Sequence, residues 1–256
     1  MHARRNSHPN LAEVLRGLAR DYPPPLQPDQ LADVKRQAFQ VRTAAELAHG
    51  GPVVDIGGGI CLFSVGCAAL GLDASVVDDF GDPINAAHLD VMNIHRDHGV
   101  KVIARDVIAD GLDLEPGSVA LVTCFESMEH WHASPKDLFA DIVKALRPGG
   151  WFFLGVPNCV NLRKRIGAAL GRSKWSTMAD WYETPTFRGH VREPDVADLR
   201  YIARDMGLVE TTVFGCNWLA YTNRRAWVRA IAPMIDRPLR ARPALCSDIY
   251  LVGRKP

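Results

Sequence analysis

Apolar and polar positions first recur at helical spacing. Residues 11–20 carry apolar and charged positions in the pattern of a short amphipathic helix. Tyr22-Pro23-Pro24-Pro25 stops it, because proline lacks the amide a helix interior needs. Asp29 is placed to cap a second helix reaching about residue 49, with Leu31, Val34, Ala38, Val41, Ala45 and Ala48 at apolar positions. Gly50-Gly51-Pro52 ends it. The pattern then changes to short apolar runs separated by helical stretches. Runs 53–55, 74–77, 100–104, 119–124 and 151–156 read as buried strands, and 60–70, 85–98 and 135–146 as the helices between them. Residues 158–190 are basic and aromatic and break the rhythm, as an insertion or lid would. A helix at 195–206, a strand at 208–214, a helical excursion at 217–235 and a strand at 246–252 follow. Repeated β–α units predict an α/β fold with a mostly parallel, seven-stranded sheet, helices on both faces and right-handed crossovers. The expected organisation is a helical extension over residues 1–50 and one domain over 51–256.

Composition adds limits. The chain has 256 residues, 47% hydrophobic and 23% charged, which suffices for a substantial core. Its net charge of +1 demands neither nucleic acid nor a membrane as partner, and no RNA-binding motif appears. The charge is uneven: residues 161–256 hold 17 Lys/Arg against 9 Asp/Glu, leaving residues 1–160 at −7. No run is suited to spanning a bilayer, since residues 56–72 are uncharged but open with three glycines. The six cysteines (61, 67, 124, 159, 216 and 246) show no metal-knuckle or redox spacing and fit a reducing cytoplasm. The N-terminal helices and the 217–235 excursion offer surfaces for a homodimer.

The chemistry begins at Val53-Val54-Asp55-Ile56-Gly57-Gly58-Gly59. A strand breaking into glycines and then a helix makes a nucleotide-type pocket at the carboxyl end of a parallel sheet. Asp55, Asp78 and Asp106 close the first three strands and face one crevice. A dinucleotide loop wants Gly-x-Gly-x-x-Gly, but Leu62 stands at the third position and Asp55 adds negative charge. A cofactor with an amino-acid end and a sulfonium suits these residues better than a pyrophosphate. A nicotinamide-dependent dehydrogenase and a non-catalytic subunit are the other classes the pattern admits.

With Val76-Val77-Asp78, Arg105-Asp106, the run 121–130, Leu146-Arg147-Pro148-Gly149-Gly150-Trp151 and Pro157-Asn158, the chain resembles the class I S-adenosylmethionine-dependent methyltransferases over roughly residues 50–215. The resemblance implies that Gly57 and Gly59 lie against the methionine part of the cofactor while Asp55 orders the loop. It implies that Asp78 takes the ribose, that Asp106 and Val107 hold the adenine, and that Phe125 and Glu126 flank the pocket floor. Ala120 departs from the family, which often carries an acid before the fourth strand.

Glu126-Ser127-Met128-Glu129-His130 is the next signal. On a helix, positions i, i+3 and i+4 share a face, so Glu126, Glu129 and His130 would offer a divalent-cation site, with its oxygen-rich ligands suiting Mg²⁺. The spacing also resembles the Glu-x-x-Glu-His element of the ubiquinone-biosynthesis O-methyltransferases, where it binds metal. Methyl transfer to a hydroxyl needs a base or a metal. His130, His132 and His190 are the candidate bases, and His190 stands in a segment resembling the family's stretch before its late helix. Trp175, Trp181, Tyr182, Trp218 and Tyr221 are placed to cover an acceptor. The expected function is S-adenosylmethionine-dependent O-methylation of a small polar acceptor, a sugar or glycolipid first and a phenol or quinone second.

Overall fold

The computed structural model describes residues 10–81, 90–172 and 176–256. Helices α1 (Leu11–Leu18) and α2 (Gln27–Ala48) precede the sheet. Helix α2 starts two residues before Asp29, which therefore lies in its first turn rather than at its cap. Strand β1 (Val53–Ile56), helix α3 (Leu62–Ala69), β2 (Ala74–Asp78), α4 (Asp90–Asp97), β3 (Lys101–Ala104), β4 (Val119–Phe125), α5 (Lys136–Ala145) and β5 (Leu146–Pro157) alternate as expected. The first part of the helix expected at 85–98 lies outside the described residues. Short helices α6 (Leu162–Ala169) and α7 (Met178–Tyr182) fall within residues 158–190. Then come α8 (Val196–Asp205), β6 (Val209–Cys216), α9 (Trp218–Tyr221), α10 (Ala226–Arg240) and β7 (Asp248–Arg254).

The strand order is β3-β2-β1-β4-β5-β7-β6, and β7 alone runs antiparallel. Side chains alternate across a strand, so neighbours feed opposite cores. Phe153 and Tyr250 join Leu15, Val41 and Phe63 beneath α1, α2 and α3. Phe152 and Leu251 join Ile142 and Leu199 beneath α5 and α8. The N-terminal helices thus pack into the first core rather than standing off it. Strand β5 begins at Leu146, earlier than the apolar run suggests. Its Arg147-Pro148-Gly149-Gly150 stretch reads as a turn, but Gly149 N–H donates to Lys255 O and Gly150 O accepts from Lys255 N–H. Lys255, just past the end of β7, makes those bonds, so no local signal marks them. Gly155 faces Tyr250 across the sheet, and a Cβ there would sit 2.4 Å from the tyrosine ring.

Candidate functional site

The carboxyl ends of β1 to β4 surround a cavity of about 380 Å³. Gly57 turns the chain out of β1 with φ +68°, a conformation side chains resist, and donates to Val77 O at 2.8 Å. Asp55 stands behind this loop, buried, where it accepts from Thr123 Oγ1 at 2.7 Å and Ser64 Oγ at 3.2 Å. It does not line the cavity. Asp78 does: one of its oxygens accepts from Gly59 N–H at 3.0 Å and the other from Phe80 N–H at 2.7 Å. Asp106 caps the next turn through Ile108 and Ala109 N–H, both at 3.0 Å, and Val107 beside it lines the same space. Phe125 is not among the lining residues. Its ring packs edge-on against Phe63 and Phe153, with centroids 5.0 and 4.8 Å away.

Helix α2 reaches this pocket from the far end of the sequence. Tyr22 Oη, just ahead of α2, and Gln30 Nε2 on it donate to Cys61 O and Ile60 O, at 3.4 and 3.3 Å, and steady the turn into α3. Arg36 sits 3.2 Å from Glu126 at the pocket floor. Sequence reading did not single out these residues, and only tertiary contact reveals them.

The edge is unusually acidic for its burial. Burial pushes the Asp55 carboxyl up to about 7, against the pull of its two hydroxyl donors. Burial also raises Asp78, Glu129 and Asp248, and lifts Glu126 to about 7 despite Arg36. Asp78 and Glu126 line the cavity together with Asp79 and Asp106, and such a lining favours a cationic ligand over an anionic pyrophosphate. There is also a stability consequence. Between about pH 4 and pH 7 folded Asp55 keeps a proton that the unfolded chain has lost, so stability falls as pH rises through that window, by up to about 4 kcal/mol. The ligand-free protein should therefore melt at lower temperature at pH 8 than at pH 5, and Asp55→Asn should make that slope shallower. Equal slopes in the two proteins would remove Asp55 as the cause.

Residues 126–130 do not form the helix that the i, i+3, i+4 argument requires. Only Met128–His130 make a 3-10 turn, and Glu126 lies outside it at φ +50° with its carboxylate drawn to Arg36. The expected Glu126–Glu129–His130 set is replaced by Glu129, His130 and His190, whose ligand atoms all lie within 4.8 Å of one another. Backbone pairing brings them together: Glu129 O accepts from Val191 N–H at 2.7 Å and Arg192 N–H at 3.2 Å. The two imidazoles meet edge to face, with centroids 4.9 Å apart.

Their hydrogen bonds fix the tautomers. His130 Nδ1 is 2.8 Å from Arg188 O, which can only accept, so Nδ1 carries the proton and Nε2 keeps its lone pair. His190 Nδ1 is 2.8 Å from a Glu193 carboxylate oxygen, which orients that ring the same way. Glu193 in turn pairs with Lys164 of α6. Burial, with His130 and Lys164 nearby, pushes the His190 imidazole down to about 4, so it is neutral at pH 7. Glu129 is wholly buried and neither carboxylate oxygen has a hydrogen-bond partner. One of them stands 4.0 Å from His130 Nε2 and 3.9 Å from His190 Nε2. These separations are too long for hydrogen bonds.

The aromatic cover differs from expectation. Trp218 is buried and donates from Nε1 to Tyr250 Oη at 2.7 Å. Tyr221 donates to Asp236 at 2.9 Å and carries Lys35 over its ring. Both serve the core beneath α10 rather than an acceptor. Trp181 and Tyr182 are exposed on α7, and Trp175 lies outside the described residues.

The chain matches the family described as a methyltransferase domain over residues 30–213. It is 32% identical over 122 residues to the ubiquinone biosynthesis O-methyltransferase of Burkholderia vietnamiensis, and 33% identical over 123 residues to that of Burkholderia thailandensis. These matches cover 48% of this chain and 50% of each relative, so the chain spans about half the length of the curated relatives it matches. Among solved structures it resembles a methyltransferase of Thermotoga maritima, described as S-adenosylmethionine-dependent and a possible histamine N-methyltransferase. The TM-score is 0.60 at 14% identity, over 96% of this chain and 100% of that one. It also resembles phosphoethanolamine N-methyltransferase 2 of Haemonchus contortus, with TM-score 0.53 at 16% identity, over 85% of this chain and 52% of that one. The fold is that of the class I S-adenosylmethionine-dependent methyltransferases. The chain belongs to the methyltransferase-domain family.

Proposed function

We propose that this methyltransferase transfers the methyl group of S-adenosylmethionine to a hydroxyl oxygen of a small polar acceptor. The observation that carries this reading is His130. It lines the cofactor cavity, and its Nε2 lone pair is left free by the Nδ1 bond to Arg188 O. In this reading Gly57 and Gly59 bed the methionine part, Asp78 takes the ribose, and Asp106 with Val107 holds the adenine. Asp55 acts on the loop and Phe125 supports the floor from below.

The acceptor hydroxyl donates a hydrogen bond to His130 Nε2. Its oxygen attacks the sulfonium methyl carbon in line; the carbon–sulfur bond breaks and its electron pair stays on sulfur. The proton passes to Nε2 and on to solvent, since His130 is partly exposed. Such a base contributes about 10²–10⁴-fold, and alignment supplies much of the rest.

Glu129, His130 and His190 also fit a divalent cation. Glu129 offers orphaned buried oxygens, and both imidazoles present their Nε2 atoms, with Nδ1 in each ring oriented by an acceptor. One carboxylate and two imidazoles shift the preference from Mg²⁺ towards Mn²⁺ or Zn²⁺. A bound ion would lower the pKa of an acceptor hydroxyl and would occupy the His130 Nε2 lone pair, so His130 would act as a ligand with the ion bound and as the base without it, the proton leaving to solvent in the first case.

Asp79, Arg105, His132, Thr186 and Arg188 are among the residues that line the cavity, and these polar side chains support a hydroxyl-rich acceptor such as a sugar or glycolipid. The names of the Burkholderia relatives support a second reading, a phenol or quinone hydroxyl. An acceptor panel of sugars, lipid-linked sugars and catechols, followed by S-adenosylhomocysteine release, tests both. It should be run after exhaustive chelation and after return of Mg²⁺, Mn²⁺ or Zn²⁺. Turnover of a hydroxyl acceptor is expected, greatest with a transition ion. Undiminished turnover in the chelated protein would remove the metal, and turnover of amines alone would remove O-methylation.

A further inference from the structure

Helix α10 is attached to the protein by its polar side. Positions 232, 236 and 240 recur at helical spacing and face the fold: Ala232 and Asp236 are buried, and Arg240 pairs with Asp236 at 2.9 Å. Asp236 also accepts from Asn217 Nδ2 at 2.8 Å and Tyr221 Oη at 2.9 Å. Burial works to raise this carboxyl, but its donors hold it below the ordinary range, so it stays ionised and anchors the helix.

The opposite stripe is apolar and faces outward. Trp227, Ile231, Met234 and Pro238 stand at i, i+4, i+7 and i+11, with Ile235 alongside. Trp227 is 60% exposed and Met234 is 77% exposed. An ordinary surface helix turns such a stripe towards the core. The surroundings are strongly basic. Arginines occupy positions 224, 225, 229, 237, 240 and 242, while Asp236 is the one acid between residues 217 and 245 and is already paired. Arg237 borders the apolar stripe, three residues from Met234, and Arg224 and Arg225 stand just ahead of the helix and of Trp227.

We propose that the outward face of α10 docks on an anionic lipid membrane, with the apolar stripe entering the headgroup boundary and the arginines meeting lipid phosphates. An apolar stripe flanked by arginine is the pattern of a helix lying in a bilayer interface. Charge selects this occupant over a second copy of the chain, because a symmetric pairing of this face would set the arginines of one copy against those of the other. The attachment is peripheral: among the described residues, no helix is long and apolar enough to cross a membrane. The orientation has a use. Helix α10 lies between β6 and β7, and the strand ends Cys216 and Pro157 both pair with Asp248, so the docked edge is also the carboxyl edge that carries the cofactor cavity. The proposal stands whichever acceptor is methylated.

Flotation of the full chain tests it, using phosphatidylcholine vesicles with and without phosphatidylglycerol. The protein is expected to float with the anionic vesicles and not with the neutral ones, and added salt should weaken the association. The triple variant Trp227→Ser, Ile231→Ser, Met234→Ser should lose about tenfold or more in vesicle partitioning. So should Arg224→Gln, Arg225→Gln, Arg237→Gln. Both should keep the wild-type melting temperature and S-adenosylhomocysteine affinity, since these side chains are exposed and none of them lines the cavity. Failure of the wild type to float with anionic vesicles, or undiminished flotation of the variants, would overturn the proposal. A dimer seen by light scattering that the serine variant dissolves, without flotation, would assign the face to a second copy instead.

Discussion

Replacing Gly57 with valine is expected to weaken S-adenosylhomocysteine binding on the order of 10²-fold or more, with the chain still folded. Two costs combine. A branched side chain at φ +68° is strained, by about 1–3 kcal/mol. Its Cβ would also fall 1.9 Å from Ser127 Oγ and 2.5 Å from Ser127 Cβ, at the end of β4. The loop must retreat into the space the methionine part is proposed to fill, so the strain appears as lost affinity. Gly50 is the control. It has φ +77° but open space around it, so Gly50→Ala should lower stability and leave affinity unchanged. Calorimetric titration distinguishes the two. If Gly57→Val bound within a few-fold of wild type, the loop would not be the cofactor bed.

The second large effect belongs to His130. His130→Ala should lower kcat by about 10²–10⁴-fold while changing S-adenosylhomocysteine affinity only slightly. The separation follows from position: the imidazole lines the cavity, and its Nδ1 is held by Arg188 O rather than by the glycine loop or Asp78. Glu193→Gln should be milder, roughly 10–100-fold, because it acts by loosening the orientation of His190 and its link to Lys164. Steady-state rates with the preferred acceptor measure both. A His130→Ala enzyme within about threefold of wild type would remove His130 as the base.

The parallel half of the sheet was legible because its signals are local. An apolar run, a closing acid and a glycine turn lie within a few residues of one another, as at 53–59 and 74–78. The reading failed where a distant partner decides the outcome. Glu126 has the right spacing for a helical ligand set, yet Arg36, ninety residues earlier, takes its carboxylate, and the helix is confined to three residues. Trp218 and Tyr221 read as acceptor cover because aromatic residues in a variable segment carry no mark of burial. Tyr250 and Asp236 claim them. His190 was visible as a candidate through its segment. Its convergence on Glu129 depends on backbone bonds from residues 191 and 192 that no periodicity encodes.

Strand β7 is synthesised after β6 yet separates it from β5. While the ribosome is still producing residues 217–247, β6 therefore has no neighbour to pair with, and α10 has no completed edge to rest on. Five strands and the glycine loop can assemble first, giving a nascent chain whose donor pocket precedes its arginine-bordered face. Arrival of residues 248–254 closes the ladder on both sides at once, so the last strand admits the sixth to the sheet and sets the moment at which the outward helix takes its place.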